Sequence, residues 1–247
     1  MRNDKSVAVL TGAGISAESG IATFRGMGGL WNNVPIEEVA TPWGFAKDPL
    51  KVWRFYEARR EQVATCKPNP GHLALARLES ALKDRFTLIT QNVDGLHHDA
   101  GNKNVLEVHG SLWRVRCTGC REEREDRTVP LDPLPPHCAC GKMLRPAIVW
   151  FGEMLPEDIF QAAISAAESS SLFLVVGTSG VVEPAASLAR VAASNGAAVW
   201  EVNPEPTPLT HLCDCSWQAP AGRVMDEVVD EALRVLGATD YPIAPPG

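Results

Sequence analysis

Short apolar runs rich in β-branched residues recur at 6–11, 86–90, 105–109, 172–177 and 197–203, each of a length that predicts a buried strand. Between them the pattern changes to a helical period near 48–64, 157–169, 184–195 and 225–236. A further helix opens at Pro70 and continues through Leu78, with proline in the first turn, where its missing N–H costs nothing. Strands that are apolar throughout and alternate with helices predict a parallel sheet covered on both faces, a doubly wound α/β domain.

Two segments break this rhythm. The stretch 111–146 carries four cysteines, many charges and the proline-rich run 130–136 without a helical period, and it is expected to be an inserted module. The stretch 20–41, with Gly26, Gly28, Gly29 and Pro35, is long for a strand-to-helix link, which suggests a functional loop. The tail 241–247 is proline-rich and expected to fray.

A chain of 247 residues with 45% hydrophobic and 21% charged residues is that of an ordinary globular protein with room for one large domain and a smaller module. Its net charge of −7 argues against a partner that is mainly a phosphate backbone, so nucleic acid is not expected. No apolar run approaches the roughly 20 residues of a membrane span, and the charged start runs quickly into glycines and polar residues, so the expected setting is the cytoplasm. Seven cysteines, an odd number, favour thiols or metal over a disulfide framework.

Spacing decides among the cysteines. Cys117 and Cys120 form a knuckle, and Cys138 and Cys140 follow after 17 intervening residues. Four thiolates from two turns suit one tetrahedral Zn²⁺, structural because no coordination position stays open. His137 is an alternative ligand. Cys213 and Cys215 lack a second pair and are expected to be buried thiols on a strand; Cys66 is expected to be a buried thiol too.

After the first strand, Gly12-Ala13-Gly14-Ile15-Ser16-Ala17 fits the dinucleotide fingerprint G-x-G-x-x-G/A, in which a pyrophosphate meets a helix N-terminus. The ribose-binding acid expected about 20 residues on has no clean candidate, which argues against an ordinary dehydrogenase.

The longer block from Gly12 through Ser16, Ala17 and Thr23 to Phe24 and Arg25 closely resembles the signature of the sirtuins, the NAD-dependent protein lysine deacylases. Thr90-Gln91-Asn92-Val93-Asp94-Gly95 resembles their nicotinamide-site segment, Glu107-Val108-His109-Gly110 their catalytic histidine, and Val149-Trp150-Phe151-Gly152-Glu153 their substrate-binding strand. Gly177-Thr178-Ser179 and Asn203 complete the resemblance on the cofactor side. It spans residues 6 to 236 and implies a single catalytic domain. The implied large Rossmann-like part covers roughly 1–30, 86–110 and 147–240; the small part covers 31–85 and the zinc module 111–146.

The resemblance implies that NAD is consumed as co-substrate. The acyl oxygen attacks the ribose carbon bearing nicotinamide, the ribose hydroxyls take up the acyl group, and O-acyl-ADP-ribose is released. His109 would be the base, since imidazole supplies a pKa near operating pH, with Gln91, Asn92 and Asp94 facing the nicotinamide and its ribose. Arg25 would face the diphosphate; Ser16 and the backbone amides of Ala13 and Gly14 would lie against phosphate or ribose. Thr178, Ser179 and Asn203 would hold the adenosine ribose and Ala221 the adenine, while Gly12, Ala17, Thr23, Phe24, Trp31 and Gly177 line the cofactor. His97 and His98 are expected to be structural or to support the site residues from behind, and His72 and His211 exposed. The family usually places two residues inside the second cysteine pair where this chain has one, so that half of the zinc site could be distorted.

Tyr56 and Arg59 lie three apart on a predicted helix and share a face. Tyr-x-x-Arg here resembles the signature of the sirtuin class that removes succinyl and malonyl groups, whose terminal carboxylate an arginine fork and a phenol would hold. Ala40 aligns with a small residue that leaves room in that pocket. Residues 149–153 would offer an edge to which an acyl-lysine peptide adds as a strand, and the protein is expected to act as a monomer. The rival readings are an ADP-ribosyltransferase using the same NAD site and a non-catalytic NAD sensor or zinc-knuckle binding module.

Overall fold

The computed structural model describes residues 5–22, residues 34–238 and the backbone of Leu30 and Trp31. β1 (Val7–Thr11) leads into a 3-10 helix, Ala13–Ser19, closed by Gly20 in the left-handed region. A two-residue ribbon, β2 (Leu30–Trp31) against β3 (Val34–Pro35), precedes α1 (Ile36–Val39), α2 (Pro42–Lys47) and α3 (Pro49–Ala64). Then come α4 (Pro70–Leu82), β4 (Phe86–Thr90), α5 (Leu96–Asp99), β5 (Val105–Glu107), β6 (Gly110–Cys117), β7 (Glu123–Glu125) and β8 (Leu144–Ile148). The chain continues through α6 (Glu157–Ser169), β9 (Leu172–Val176), α7 (Ser187–Ser194), β10 (Ala198–Val202), β11 (Cys215–Trp217) and α8 (Ala221–Val235).

Six strands form one parallel sheet in the order β11-β10-β9-β1-β4-β5. Because successive side chains alternate across a sheet, Val7, Val9, Leu88, Leu174 and Val202 pack under α4 and α8, while Ala8, Leu10, Ile89, Phe173 and Val199 pack under α6 and α7. This is the doubly wound domain that the continuous apolar strands predict. The chain winds outward from β1 in both directions, so the strand order reverses between β1 and β9, where open α/β sheets bind ligands.

A second sheet, β7-β6-β8, is antiparallel. It packs with α2 and α3 around Phe45, Val52, Trp53, Val115, Leu144 and Trp150. The inserted module is therefore built on strands. The other half of the small part, expected over 31–85, ends before α4, because the buried face of α4, Leu75, Leu78 and Leu82, belongs to the core of the large sheet.

Local chemistry sets the helix ends. Asp48 caps α3 by accepting from the amide of Lys51, and Asn69 caps α4 with Pro70 in the first turn. α8 starts a turn earlier than its periodicity suggests, at Ala221. The strand expected around Cys213 and Cys215 forms as β11, but at the sheet edge, where Cys215 is exposed and Cys213 half-buried; Cys66 is also only half-buried. No helix among the described residues is long and apolar enough to cross a membrane.

Candidate active site

A cleft of about 1110 Å³ opens at the carboxyl ends of β1, β4 and β9 and reaches the small module. Gly12, Ala13, Gly14 and Ala17 line it after β1, Gln91, Asn92 and Asp94 after β4, His109 after β5, and Gly177, Thr178, Ser179 and Asn203 after β9 and β10. Ala40, Tyr56, Arg59 and the stretch Val149, Trp150, Phe151, Gly152 and Glu153 line its other wall. Residues that lie far apart in sequence thus share one cavity. Thr23, Phe24 and Arg25, residues 26–29 and the side chain of Trp31 lie outside the described residues.

The glycines make two loops meet. A Cβ on Gly14 would stand 2.6 Å from the carbonyl oxygen of Gly177, and one on Gly177, which has φ +61°, would stand 2.3 Å from the amide nitrogen of Ile15. Only glycine permits this approach. The amide of Gly14 donates to the carbonyl of Gly177 at 2.7 Å, so it does not face the cleft as a phosphate donor, contrary to expectation. Ala221 differs as well: as the first residue of α8 it is buried against Gly71 in the large core, and it does not line the cleft.

Behind the β4 loop lies a closed polar network. The Ser16 hydroxyl donates to Asp94 Oδ2 at 2.8 Å and accepts from Asn92 Nδ2 at 3.2 Å. His72 Nδ1 accepts from the Asn69 amide, so its Nε2 carries the proton shared with Ser16 Oγ at 3.3 Å. Ser16 therefore organises the Asn92 and Asp94 side chains from below and is itself buried. The expectation that His72 is exposed is wrong. It is fully buried, and burial lowers its pKa to about 4. The signal was in the sequence: Asn69-Pro70-Gly71-His72 is a capping box with histidine at the third helical position. His97 is structural as expected, buried with Nε2 donating to Thr11 Oγ1, whose own proton goes to Thr90. His98 stands 3.6 Å from Glu107.

Burial pushes the Asp94 carboxyl upward, against the opposing pull of the Leu96 amide, Ser16 and the Arg59 charge. Gln91 is held by its Nε2, which donates to Thr178 Oγ1 at 3.0 Å. His109 Nδ1 lies 3.0 Å from the Gln91 carbonyl oxygen and donates to it, which leaves Nε2 as the basic nitrogen. Burial lowers the His109 pKa and the bond to Gln91 raises it, with burial prevailing.

Tyr56 is buried, and its oxygen accepts from Trp150 Nε1 at 2.9 Å, so the phenol proton is left for another acceptor. Burial drives its pKa upward and keeps it protonated. Arg59 follows one turn later; burial lowers its pKa while Tyr56 and Asp94 oppose that, and it stays a cation at neutral pH.

Residues 149–153 form a turn after β8, a correction to the expected edge strand. The Val149 amide donates to the His109 carbonyl at 3.0 Å, that of Phe151 to Ala40 at 2.9 Å, that of Glu153 to Trp150 at 2.9 Å, and that of Trp150 to Glu153 Oε2 at 2.9 Å. These amides are spent within the chain and cannot pair with an added strand. Glu153 is also held by a bidentate pair with Arg145 at 2.6 and 2.9 Å, and the Arg145 guanidinium stacks on Trp150 at 3.5 Å. Glu153 thus closes the turn.

The four cysteine sulfurs of Cys117, Cys120, Cys138 and Cys140 lie within 4.8 Å of one another, at 3.4 Å for Cys117 and Cys140 and 3.7 Å for Cys120 and Cys138. Tetrahedral zinc with Zn–S near 2.3 Å separates its sulfurs by about 3.8 Å, so the set fits the metal. The short Cys138-Ala139-Cys140 turn therefore does not prevent convergence. His137 pairs instead by backbone with Met143 and is exposed.

The Sir2 family model matches residues 12–184. The chain belongs to the Sir2 family, the sirtuins. It is 50% identical to the NAD-dependent protein deacylase of Aquifex aeolicus over 94% of this chain and 98% of that one. A Sir2 homologue solved as a complex with ADP-ribose superposes with a TM-score of 0.87 at 49% identity, covering 94% of each chain. A Sir2 solved with a deacetylated peptide and 3'-O-acetyl ADP-ribose has a TM-score of 0.79 at 33% identity, covering 92% of this chain and 93% of that one.

Proposed function

We propose that this sirtuin is an NAD-dependent protein lysine deacylase that removes acetyl groups and, through Tyr56 and Arg59, dicarboxylic acyl groups such as succinyl and malonyl. The observation that carries it is the meeting of His109, Asn92 and Asp94 with Tyr56 and Arg59 in one cleft. The cleft suits NAD, since its floor lies at the strand-order reversal and it is lined by Gln91, Thr178, Ser179 and Asn203. When bound, NAD supplies the ribose carbon that takes the acyl oxygen and the nicotinamide that leaves.

This chain's residues do the rest. His109 Nε2, free to accept because Nδ1 donates to Gln91, takes a ribose hydroxyl proton. Asn92 and Asp94, aligned by Ser16, bind and orient the ribose. Tyr56 and Arg59 give a distal carboxylate one phenol donor and a guanidinium fork, charge-assisted bonds strong enough to offset its desolvation. Ala40 is small and buried and leaves room for the chain.

Relatives named as deacylases and a relative bound to a peptide support a protein substrate. An arginine and a phenol at the end of the acyl pocket have no role in transfer of ADP-ribose to protein, which favours deacylation. Mass spectrometry of a succinyl-lysine peptide incubated with NAD tests this: free lysine and O-succinyl-ADP-ribose are expected, whereas ADP-ribose attached to peptide or protein would establish the transferase.

A further inference from the structure

Helix α3 presents two adjacent stripes. Tyr56 and Arg59 face the cleft; Trp53, Glu57 and Arg60, spaced four and three apart, face the small module. Arg60 is 1% exposed, and its guanidinium donates to the carbonyls of Leu112 and Asp126, both at 2.6 Å, and of Thr128 at 2.9 Å. Glu57 Oε1 accepts from the Leu131 amide at 2.9 Å, and Trp53 Nε1 donates to the Leu144 carbonyl at 2.9 Å. Asp126, Thr128 and Leu131 all lie in the 17-residue loop 121–137 between the two cysteine pairs, whose ends the metal would join. Arg60 also stands 5.3 Å from the Trp113 ring, whose Nε1 donates to the Asp94 carbonyl at 2.6 Å.

We propose that Arg60 is a positioning residue that couples the zinc-closed loop 121–137 to the acyl pocket, so that loosening this anchor displaces Tyr56 and Arg59 and costs dicarboxylic acyl removal far more than acetyl removal. The selectivity follows from geometry. An acetyl group ends before it needs a donor on α3, whereas a distal carboxylate requires a phenol and a guanidinium held at hydrogen-bond distance, and a shift of about 1 Å breaks such bonds. The inference rests on the assignment of Tyr56 and Arg59 as a carboxylate clamp.

The test compares the zinc-loaded wild-type protein with Arg60→Lys, which keeps the charge but loses the fork that spans three carbonyls; Arg60→Met serves as the harsher variant. Zinc content and circular dichroism are measured first. In Arg60→Lys with one zinc per chain, KM for a succinyl-lysine peptide is expected to rise about 10-fold or more, with kcat and the acetyl-lysine KM within about 2-fold. Equal losses on both peptides, or no loss on either, would overturn the coupling. Hydrogen exchange supplies a readout independent of activity: amides 56–60 are expected to exchange faster together with 121–131. Should the wild-type protein remove no succinyl group, the clamp assignment fails, and the coupling stands or falls on exchange alone, with unchanged protection at 56–60 overturning it.

Discussion

The imidazole of His109 holds its Nδ1 3.0 Å from the carbonyl oxygen of Gln91, which fixes the tautomer and turns the basic Nε2 toward the cleft. The same carbonyl belongs to a residue whose amide is anchored on Thr178, so the base and the cofactor wall are set by one short segment.

His109 must be neutral to accept a proton, and burial holds its pKa below the ordinary 6.5 despite the bond to Gln91. The acidic limb of kcat/KM is therefore expected to have its midpoint below 6.5, with activity retained at mildly acid pH. His109→Ala is expected to lose about 100-fold or more. A limb centred above 7, or a mild loss in the variant, would contradict the assignment.

His72 gives a stability prediction of definite sign. Its folded pKa of about 4 lies below the unfolded value of 6.5, so the unfolded chain binds the extra proton between those values. Stability is fully present above about pH 6.5 and is lost as pH falls toward 4, by up to about 1.4 kcal/mol per pH unit from this group. His97, also lowered by burial, adds to the same trend. Urea denaturation from pH 4 to 7 measures the slope, which should be shallower in His72→Gln.

Ser16 joins Asp94, Asn92 and His72. Ser16→Ala leaves three buried groups short of a partner and is expected to cost about 1–3 kcal/mol of stability, besides weakening NAD binding. Calorimetric titration with NAD and urea melts check both; an unaltered melt would show that the network does not hold the β4 loop.

The four converging cysteine sulfurs suit one structural zinc, so the small sheet is expected to depend on metal. Chelation, or Cys140→Ser, is expected to lower the thermal midpoint and expose the amides of β6 and β8, because the binding free energy of structural zinc is folding free energy. A fully metal-free protein that melts as the loaded one does would refute a structural zinc.

Much of this was readable in the sequence where one physical cause dominates. The α6 bounds and the strand Phe86–Thr90 match their apolar patterns, since a strand buried on both faces leaves little ambiguity. The small module was legible by its cysteines but not as a sheet: β7 is exposed and highly charged, and its pairing depends on contacts distant in sequence. For His72 the capping box with Asn69 is local and legible, but its contact with Ser16, 56 residues earlier, is not, because nothing near it in sequence marks that partner. The turn 149–153 carries no alternation that marks a strand, which the resemblance alone implied: only Trp150 is buried, stacked between Phe45 and Arg145, while Phe151 is exposed.

The most direct test of the account is kcat/KM for one peptide bearing acetyl-lysine or succinyl-lysine, with and without NAD, in the wild-type protein and in Arg59→Met. Both removals should require NAD, and the variant should lose about 30-fold or more on succinyl, the cost of stranding a buried carboxylate, while acetyl removal changes far less. Equal losses on the two substrates, or succinyl removal that persists in the variant, would contradict the clamp; removal of neither acyl group would contradict the deacylase itself.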